Sequence, residues 1–286
     1  IRPGRGRMTH PGQLLKAHQL YAGKELGQNF LSNPATADMI VAKTGIRDSD
    51  HVLEIGPGLG GLTIPLSKAA RTVTAVEKDA RLLPILENQL SEHGITNVKL
   101  VHHDVLTLDI SSVAPNKKLV IVGNLPYNIS SQIIFKLVKE RGRIPQAFLM
   151  FQKELAQRII ASPGGRAYSR LAAVVQYAAG VSFVAEIGPA HFFPRPDVDS
   201  TILKFEFFQE REFEPDEEEI LFNVIKAAFS KRRKSLKNSM AGGEFNYDKQ
   251  RIVQALERAG IDPARRAETL SVEEFKDLAR AVSQIC

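Results

Sequence analysis

Between Asp50 and Gln152, short apolar runs alternate with stretches of helical spacing. Val52-Leu53-Glu54-Ile55, Thr72-Val73-Thr74-Ala75-Val76, Val98-Lys99-Leu100-Val101, Leu119-Val120-Ile121-Val122 and Ala147-Phe148-Leu149-Met150-Phe151 read as five strands. Helical patterns around Leu62 to Lys68, Arg81 to Ser91 and Ser130 to Glu140 lie between them. This alternation predicts a parallel sheet with crossover helices. Val181 to Glu186 and Thr201 to Phe208 read as two later strands with no helical pattern between them, which suggests an antiparallel edge on the same sheet. Beyond Phe208 the pattern is helical only, over Glu217 to Phe229, Tyr247 to Ala259 and Val272 to Ser283, broken by Gly242-Gly243 and Gly260-Ile261-Asp262-Pro263. The expected organisation is a basic N-terminal extension over 1–25, an α/β domain over 26–210 and a small helical domain over 211–286.

Composition adds exclusions. The chain has 286 residues, 43% of them hydrophobic, enough for a sizeable core. The single cysteine, Cys286, leaves neither a disulfide scaffold nor a Cys-rich metal site, so a reducing, cytoplasmic setting and no bound metal are expected. No apolar run approaches the roughly 18 to 20 residues that cross a bilayer, so no membrane association is expected. The first seven residues lack the apolar segment of a secretory signal, and Met8 is a candidate natural start.

The formal charge of +6 matters less than its placement. Arg2, Arg5, Arg7, Lys16 and Lys24 stand in an acid-free stretch, and so do Lys226, Lys231, Arg232, Arg233, Lys234 and Lys237, while Glu210 to Glu219 is strongly acidic. Such segregation suggests a surface facing a polyanion, with a solvated helix face as the plain alternative.

The first strand runs into Glu54-Ile55-Gly56-Pro57-Gly58-Leu59-Gly60-Gly61 and then a helix. Glycines there permit a tight turn and close approach of a ligand to backbone N–H groups. Glu77, directly after the second strand, can accept both hydroxyls of a ribose. NAD and S-adenosylmethionine both fit that pair. Asp104 follows the third strand, where an acceptor can take an adenine amino group or simply cap a turn. The adjacent His102 and His103 lack partners at metal-ligand spacing and receive no role.

The fourth strand ends in Gly123-Asn124-Leu125-Pro126-Tyr127-Asn128. Ligands of open parallel sheets bind beyond the carboxyl ends of the strands, so this loop faces the crevice of the glycine loop. An adenine exocyclic amine is a poor nucleophile because its lone pair is delocalised into the ring. The Asn124 side-chain oxygen and the Leu125 carbonyl are candidate acceptors that hold its N–H bonds and stabilise the charge developing during methyl transfer. Pro126 stiffens the loop and Tyr127 offers a stacking face.

At these residues the chain resembles the ribosomal RNA adenine dimethyltransferases of the KsgA type. Gly27-Gln28-Asn29-Phe30-Leu31, Tyr168-Ser169-Arg170-Leu171, Phe192-Phe193-Pro194-Arg195-Pro196-Asp197-Val198-Asp199-Ser200, Phe229 to Ser239 and Arg266 to Ser271 extend the resemblance along nearly the whole chain. It implies a Rossmann-like S-adenosylmethionine-dependent methyltransferase with a small C-terminal all-helical, RNA-binding domain. Gln28, Asn29 and Leu31 would line the cofactor site with Gly56, Gly58, Glu77, Asp104 and Val105, and Asn124 would serve both cofactor and amine. Phe192 would stack the target adenine opposite Tyr127. The implied substrate is a pair of adjacent adenosines in the 3′-terminal hairpin of small-subunit ribosomal RNA, within a partly assembled subunit, modified by a monomeric enzyme during ribosome biogenesis. Ile187-Gly188-Pro189 departs from the family's usual Val-Pro-Pro, and Lys231 stands where Gln is usual. The rivals are a large-subunit RNA methyltransferase of the antibiotic-resistance type and a non-catalytic assembly factor.

Overall fold

The computed structural model describes residues 9–23, 25, 27–242 and 248–285. Arg2, Arg5, Arg7, Met8, Lys24, Tyr247 and Cys286 lie outside that set. Nine strands and twelve α-helices are described: α1 (Pro11–Ala17), β1 (Phe30–Leu31), α2 (Pro34–Thr44), β2 (His51–Ile55), α3 (Thr63–Ala69), β3 (Thr72–Glu77), α4 (Leu83–Glu92), β4 (Val98–His102), α5 (Ile110–Val113), β5 (Leu119–Asn124), α6 (Ser130–Lys139), β6 (Gln146–Gln152), α7 (Lys153–Ile159), α8 (Arg170–Ala178), β7 (Ala179–Ile187), β8 (Phe192–Phe193), β9 (Ser200–Phe207), α9 (Pro215–Ala228), α10 (Leu236–Ser239), α11 (Lys249–Arg258) and α12 (Val272–Ile285). Among the described residues, no helix is long and apolar enough to cross a membrane.

The seven-stranded sheet has the order β4-β3-β2-β5-β6-β9-β7. The pairs β3/β4, β2/β3, β2/β5 and β5/β6 are parallel, and β9 returns antiparallel to β6. Strand β2 is buried from Val52 to Ile55 and β6 from Ala147 to Phe151, as expected of strands covered on both faces. Order reverses between β2 and β5, because the chain first builds outward through β3 and β4 and then returns to the other side of β2. The register aligns Ile55 with Val76 and with Gly123, and Glu77 with His102. The carboxyl ends of four parallel strands therefore open at one edge, at the switch point where such sheets bind ligands.

Helix α2 shows how local sequence sets an element. The Asn33 side chain accepts from the Thr36 N–H at 3.2 Å, Pro34 occupies the first turn, and Gly45 closes the helix in the left-handed region. A second sheet, absent from the strand pattern, pairs β1 with β8 antiparallel, Leu31 opposite Phe192 and Phe30 opposite Phe193. Two-residue strands carry no periodicity to detect.

The chain divides into two compact units, one comprising 1–156 and 181–209 and the other 157–180 and 210–286. This corrects the expected partition, which placed 157–180 in the α/β domain. In the second unit α8 packs against α9 and α12. The Tyr177 hydroxyl donates to Glu218 Oε1 at 3.0 Å, and the Tyr168 ring meets Phe229 edge-on at 6.1 Å. Residues 157–180 lie between two strands of the sheet in chain order, but their apolar positions are covered by helices that the sequence supplies only after Phe208.

Candidate active site

A cleft opens at the carboxyl edge of β2, β3, β4 and β5. Gly56, Gly58, Glu77, Asp104, Val105 and Asn124 line it, with Gln28, Asn29 and Leu31 from the preceding segment. Leu125, Pro126 and Tyr127 line it as well. All the expected cofactor residues thus meet in one cavity, although they span 97 positions (28 to 124) of the chain.

The end of the cleft at β3 is built around Glu77. Its Oε2 accepts from the Gly58 N–H at 3.1 Å and its Oε1 from the Asp79 N–H at 2.8 Å. Burial raises the pKa of this carboxyl and the two N–H groups oppose that shift. Each oxygen keeps a free lone pair for a hydroxyl. Gly58 has φ of +56°, and a Cβ there would stand 2.8 Å from the Phe30 ring, so a side chain at this position would both strain the loop and drive Phe30 from its seat. Further along the edge, Asp104 Oδ1 accepts from the Leu106 N–H at 2.9 Å, and Lys78 Nζ lies 2.8 Å from Oδ2. The hydrogen bond from Lys78 is the main reason that the Asp104 pKa is lowered. Asp104 therefore combines the turn-capping role with a position in the cleft.

At the end of the cleft formed by β5, Asn124 Nδ2 donates to the Asn29 carbonyl at 2.8 Å. Since a carbonyl only accepts, this bond fixes which end of the amide is nitrogen and leaves Oδ1 as the acceptor available to a ligand. The Ser130 hydroxyl donates to the Pro126 carbonyl at 2.8 Å, holding the loop against the start of α6. Tyr127 is half-buried, with its hydroxyl 3.5 Å from Ser200 Oγ. Glycine at 123 is required by packing, because a Cβ there would meet Leu125 Cδ2 at 2.9 Å and the Ile55 carbonyl at 3.1 Å. A larger residue would push the Asn124 loop off β2.

Phe192 does not join this cleft. It is 4% exposed and belongs to the core cluster containing Leu31, Ile40, Val41, Leu62 and Ile202. Pairing of β1 with β8 carries it there, and the alternation of the strand sends Phe193 instead toward Phe30 and Leu15. The expectation that Phe192 offers a face opposite Tyr127 is therefore corrected to a packing role. Phe192→Ala should lose about 3 to 5 kcal/mol of stability, visible as a lower Tm. Phe192→Leu, which keeps most of the volume, should methylate normally once folded. An unchanged Tm with lost methylation in Phe192→Leu would restore the stacking role.

Glu54, which precedes the glycine loop, has no role evident from the sequence pattern. The structure buries it to 1% exposure in the cleft wall, with Oε2 lacking a hydrogen-bond partner among the described residues. Burial, aided by the nearby Glu77 charge, pushes its pKa up to about 8. Interaction with the Thr63 hydroxyl opposes that shift, and a buried acid with one unpartnered oxygen in the cleft wall suits a cationic group on a ligand.

The basic residues lie in the second unit, with Lys231 to Lys234 on the turn between α9 and α10. Lys231, Arg232, Arg233 and Lys234 are exposed; Lys226, near the end of α9, and Lys237, within α10, are half-buried. Arg232 Nη2 donates to the Arg166 carbonyl at 3.1 Å, and Lys231 Nζ reaches the Asn238 carbonyl at 3.5 Å, so the turn is shaped by its own cations.

The sequence profile of the ribosomal RNA adenine dimethylase family matches residues 20–284. A protein of Desulforapulum autotrophicum named ribosomal RNA small subunit methyltransferase A is 55% identical over 275 residues, covering 96% of this chain and 97% of its own. One of the same name from Clostridium botulinum is 38% identical over 274 residues, covering 96% and 98%. Among solved structures, a dimethyladenosine transferase from Plasmodium falciparum superposes with a TM-score of 0.72 at 30% identity, covering 87% of this chain and 95% of that one. The 23S rRNA methyltransferase ErmE superposes with a TM-score of 0.64 at 28% identity, covering 89% and 100%.

Proposed function

The chain belongs to the ribosomal RNA adenine dimethylase family, and on that premise we propose that its cleft binds S-adenosylmethionine and methylates, twice each, the exocyclic amines of two adjacent adenosines in the 3′-terminal hairpin of small-subunit ribosomal RNA. The orientation of Asn124 carries the reading. With Nδ2 committed to the Asn29 carbonyl, Oδ1 is preset to receive an amine N–H, and the Leu125 carbonyl on the same loop is the second acceptor. Holding both N–H bonds favours a pyramidal nitrogen and stabilises the positive charge that grows as the new C–N bond forms. The methylated nitrogen, now cationic, then loses one of its own protons to solvent, so no strong base is required.

Bound in the cleft, S-adenosylmethionine supplies an electrophilic methyl group. Glu77 would take the ribose hydroxyls, Asp104 the adenine amino group, and Glu54 the ammonium of the methionyl end. Tyr127 would supply a face for the adenine drawn out of its stack. The small-subunit names of the 55% and 38% relatives favour that subunit over the large-subunit substrate in the ErmE title. Incubating the protein with labelled S-adenosylmethionine and separated, unmodified subunits, then mapping the label by nuclease digestion, tests the assignment. Label confined to large-subunit RNA would reverse it.

Glu54 yields a prediction with a definite sign. An acid raised to about 8 is mostly protonated at pH 7, and a cation placed against it favours the ionised form, so cofactor binding should release a proton. Affinity gained through this group should rise with pH up to about 8 and level off above it. Calorimetry at pH 7 in two buffers of different ionisation enthalpy should detect the proton in the wild type and none in Glu54→Gln.

For the basic turn, replacing Arg232, Arg233 and Lys234 together with Ala should weaken RNA binding and flatten its dependence on salt, because each lost phosphate contact also removes released counterions. Cofactor affinity should stay unchanged. An unaltered slope of log affinity against log salt would make the turn a solvated surface.

A further inference from the structure

The described residues between Gly23 and Leu31 (23, 25 and 27–31) are tied to both ends of the cleft, and two of the ties are made by residues adjacent in sequence. At the ribose end, Gln28 Nε2 donates to Asp79 Oδ2 at 3.0 Å while Gln28 Oε1 accepts from the Gly23 N–H at 2.8 Å. The Gln28 N–H returns to the Gly23 carbonyl at 3.3 Å, closing a small loop. Asp79 is 6% exposed and held by Arg81, whose Nε and Nη2 reach its two oxygens at 2.8 and 2.7 Å. The backbone N–H of the same Asp79 holds Glu77 Oε1. At the amine end, the next residue, Asn29, accepts the Asn124 amide through its carbonyl, and the Glu25 carbonyl accepts from Asn128 Nδ2 at 3.3 Å.

A continuous path of hydrogen bonds and one peptide link therefore joins the ribose acid to the amine acceptor: Glu77, Asp79, Gln28, Asn29, Asn124. The Gln28 side chain has both ends engaged, Nε2 by Asp79 within this path and Oε1 by the Gly23 N–H outside it, which differs from the cofactor-ligand role implied by the family resemblance. We propose that Gln28 and Asp79 are positioning residues that hold the Asn29 carbonyl in place and so set the orientation of the Asn124 amide for both methyl transfers. With Arg81 clamping Asp79, the acceptor for Gln28 is fixed before any ligand arrives. A peptide carbonyl one residue from a fixed side chain has little freedom left, and the Asn124 amide follows it.

The inference rests on Asn124 as the amine acceptor, and its test separates the two. Gln28→Met keeps length and volume but cannot bond to Asp79 or Gly23. At saturating cofactor and RNA, its single-turnover rate should fall 10-fold or more, with monomethylated adenosine accumulating, while Tm and RNA affinity hold. In the cofactor-free protein, the Asn124 side-chain amide NMR signal, assigned by its loss in Asn124→Ala, should change from dispersed to averaged. Gln28→Glu alone sets two carboxylates together and should be as slow. Combined with Asp79→Asn, which turns the Oδ2 position into a donor for the new carboxylate and gives up only the Arg81 Nη2 bond made there, it should regain part of the rate.

A wild-type rate and product ratio in Gln28→Met would overturn the proposal. So would a loss confined to cofactor affinity with an unchanged saturated rate, which would make Gln28 a ligand only. Should Gln28→Met fold poorly, Gln28→Asn, whose shorter amide cannot reach Asp79, is read the same way. Full activity in Asn124→Ala would instead sink the functional reading itself, whatever Gln28 does.

Discussion

Asn124→Ala should reduce methyl transfer at saturating cofactor and RNA by about 100- to 1,000-fold, the usual consequence of deleting one preorganised contact to charge that develops in the transition state. The amide stands at the carboxyl end of β5 with its nitrogen bonded to the Asn29 carbonyl, so its oxygen needs no reorganisation when the amine arrives. Deleting it removes that acceptor and also frees the Asn29 carbonyl, so a small loss of cofactor affinity should accompany the large loss of rate. Asn124→Asp separates the two effects. It keeps an acceptor oxygen but sets a carboxylate against a carbonyl, breaks the tie, and should be nearly as slow as the alanine variant. Single-turnover rates together with a thermal melt check both, since Asn124 is only half-buried and its removal should leave Tm within a few degrees. Retention of the wild-type rate in either variant would mean that the amine is held elsewhere.

Glu77→Ala should weaken S-adenosylmethionine binding by about two to four orders of magnitude, because hydrogen bonds to a charged group are worth about 1.5 to 3 kcal/mol each and two ribose hydroxyls lose theirs together. The Gly58 and Asp79 N–H groups also lose their acceptor, and with them the shape of the glycine loop. Glu77→Gln should recover little. Its amide offers one oxygen where two backbone N–H groups each need one, so its nitrogen must face a donor. Calorimetry with cofactor, beside a filter-binding assay with RNA, should show the loss in the first and not in the second. Equal losses in both would mean that Glu77 supports the fold and not the pocket.

How much of this was legible in the chain follows from the range of the forces involved. The regular alternation from Asp50 to Gln152 announces parallel strands and crossover helices because strand and helix periods are properties of neighbouring residues, and right-handed crossovers leave few ways to arrange them. The glycine loop, Glu77, Asp104 and Asn124 follow from the same logic. Each ends or follows a parallel strand, and parallel strands in register must present their carboxyl ends together. Their convergence was therefore readable before any coordinate.

Three features were not. Phe192 sits beside prolines in a motif that suggests exposure, yet its burial depends on pairing with Leu31, a contact across 161 positions (31 to 192) that no local pattern records. The helix over Arg170–Ala178 belongs to the second unit because its apolar face is covered by α9 and α12, which follow it in the chain. The Asp79, Gln28 and Asn29 path consists of single hydrogen bonds between residues whose types are ordinary on any surface; only their distances make them a chain. Sequence by itself determined the architecture, the cleft edge and the chemical class of the residues there, since those depend on periodicity and strand direction. Tertiary structure alone decided which aromatic packs inside, where the second unit begins and which end of the Asn124 amide faces the cleft, because each depends on a long-range contact whose strength lies in geometry and not in residue type.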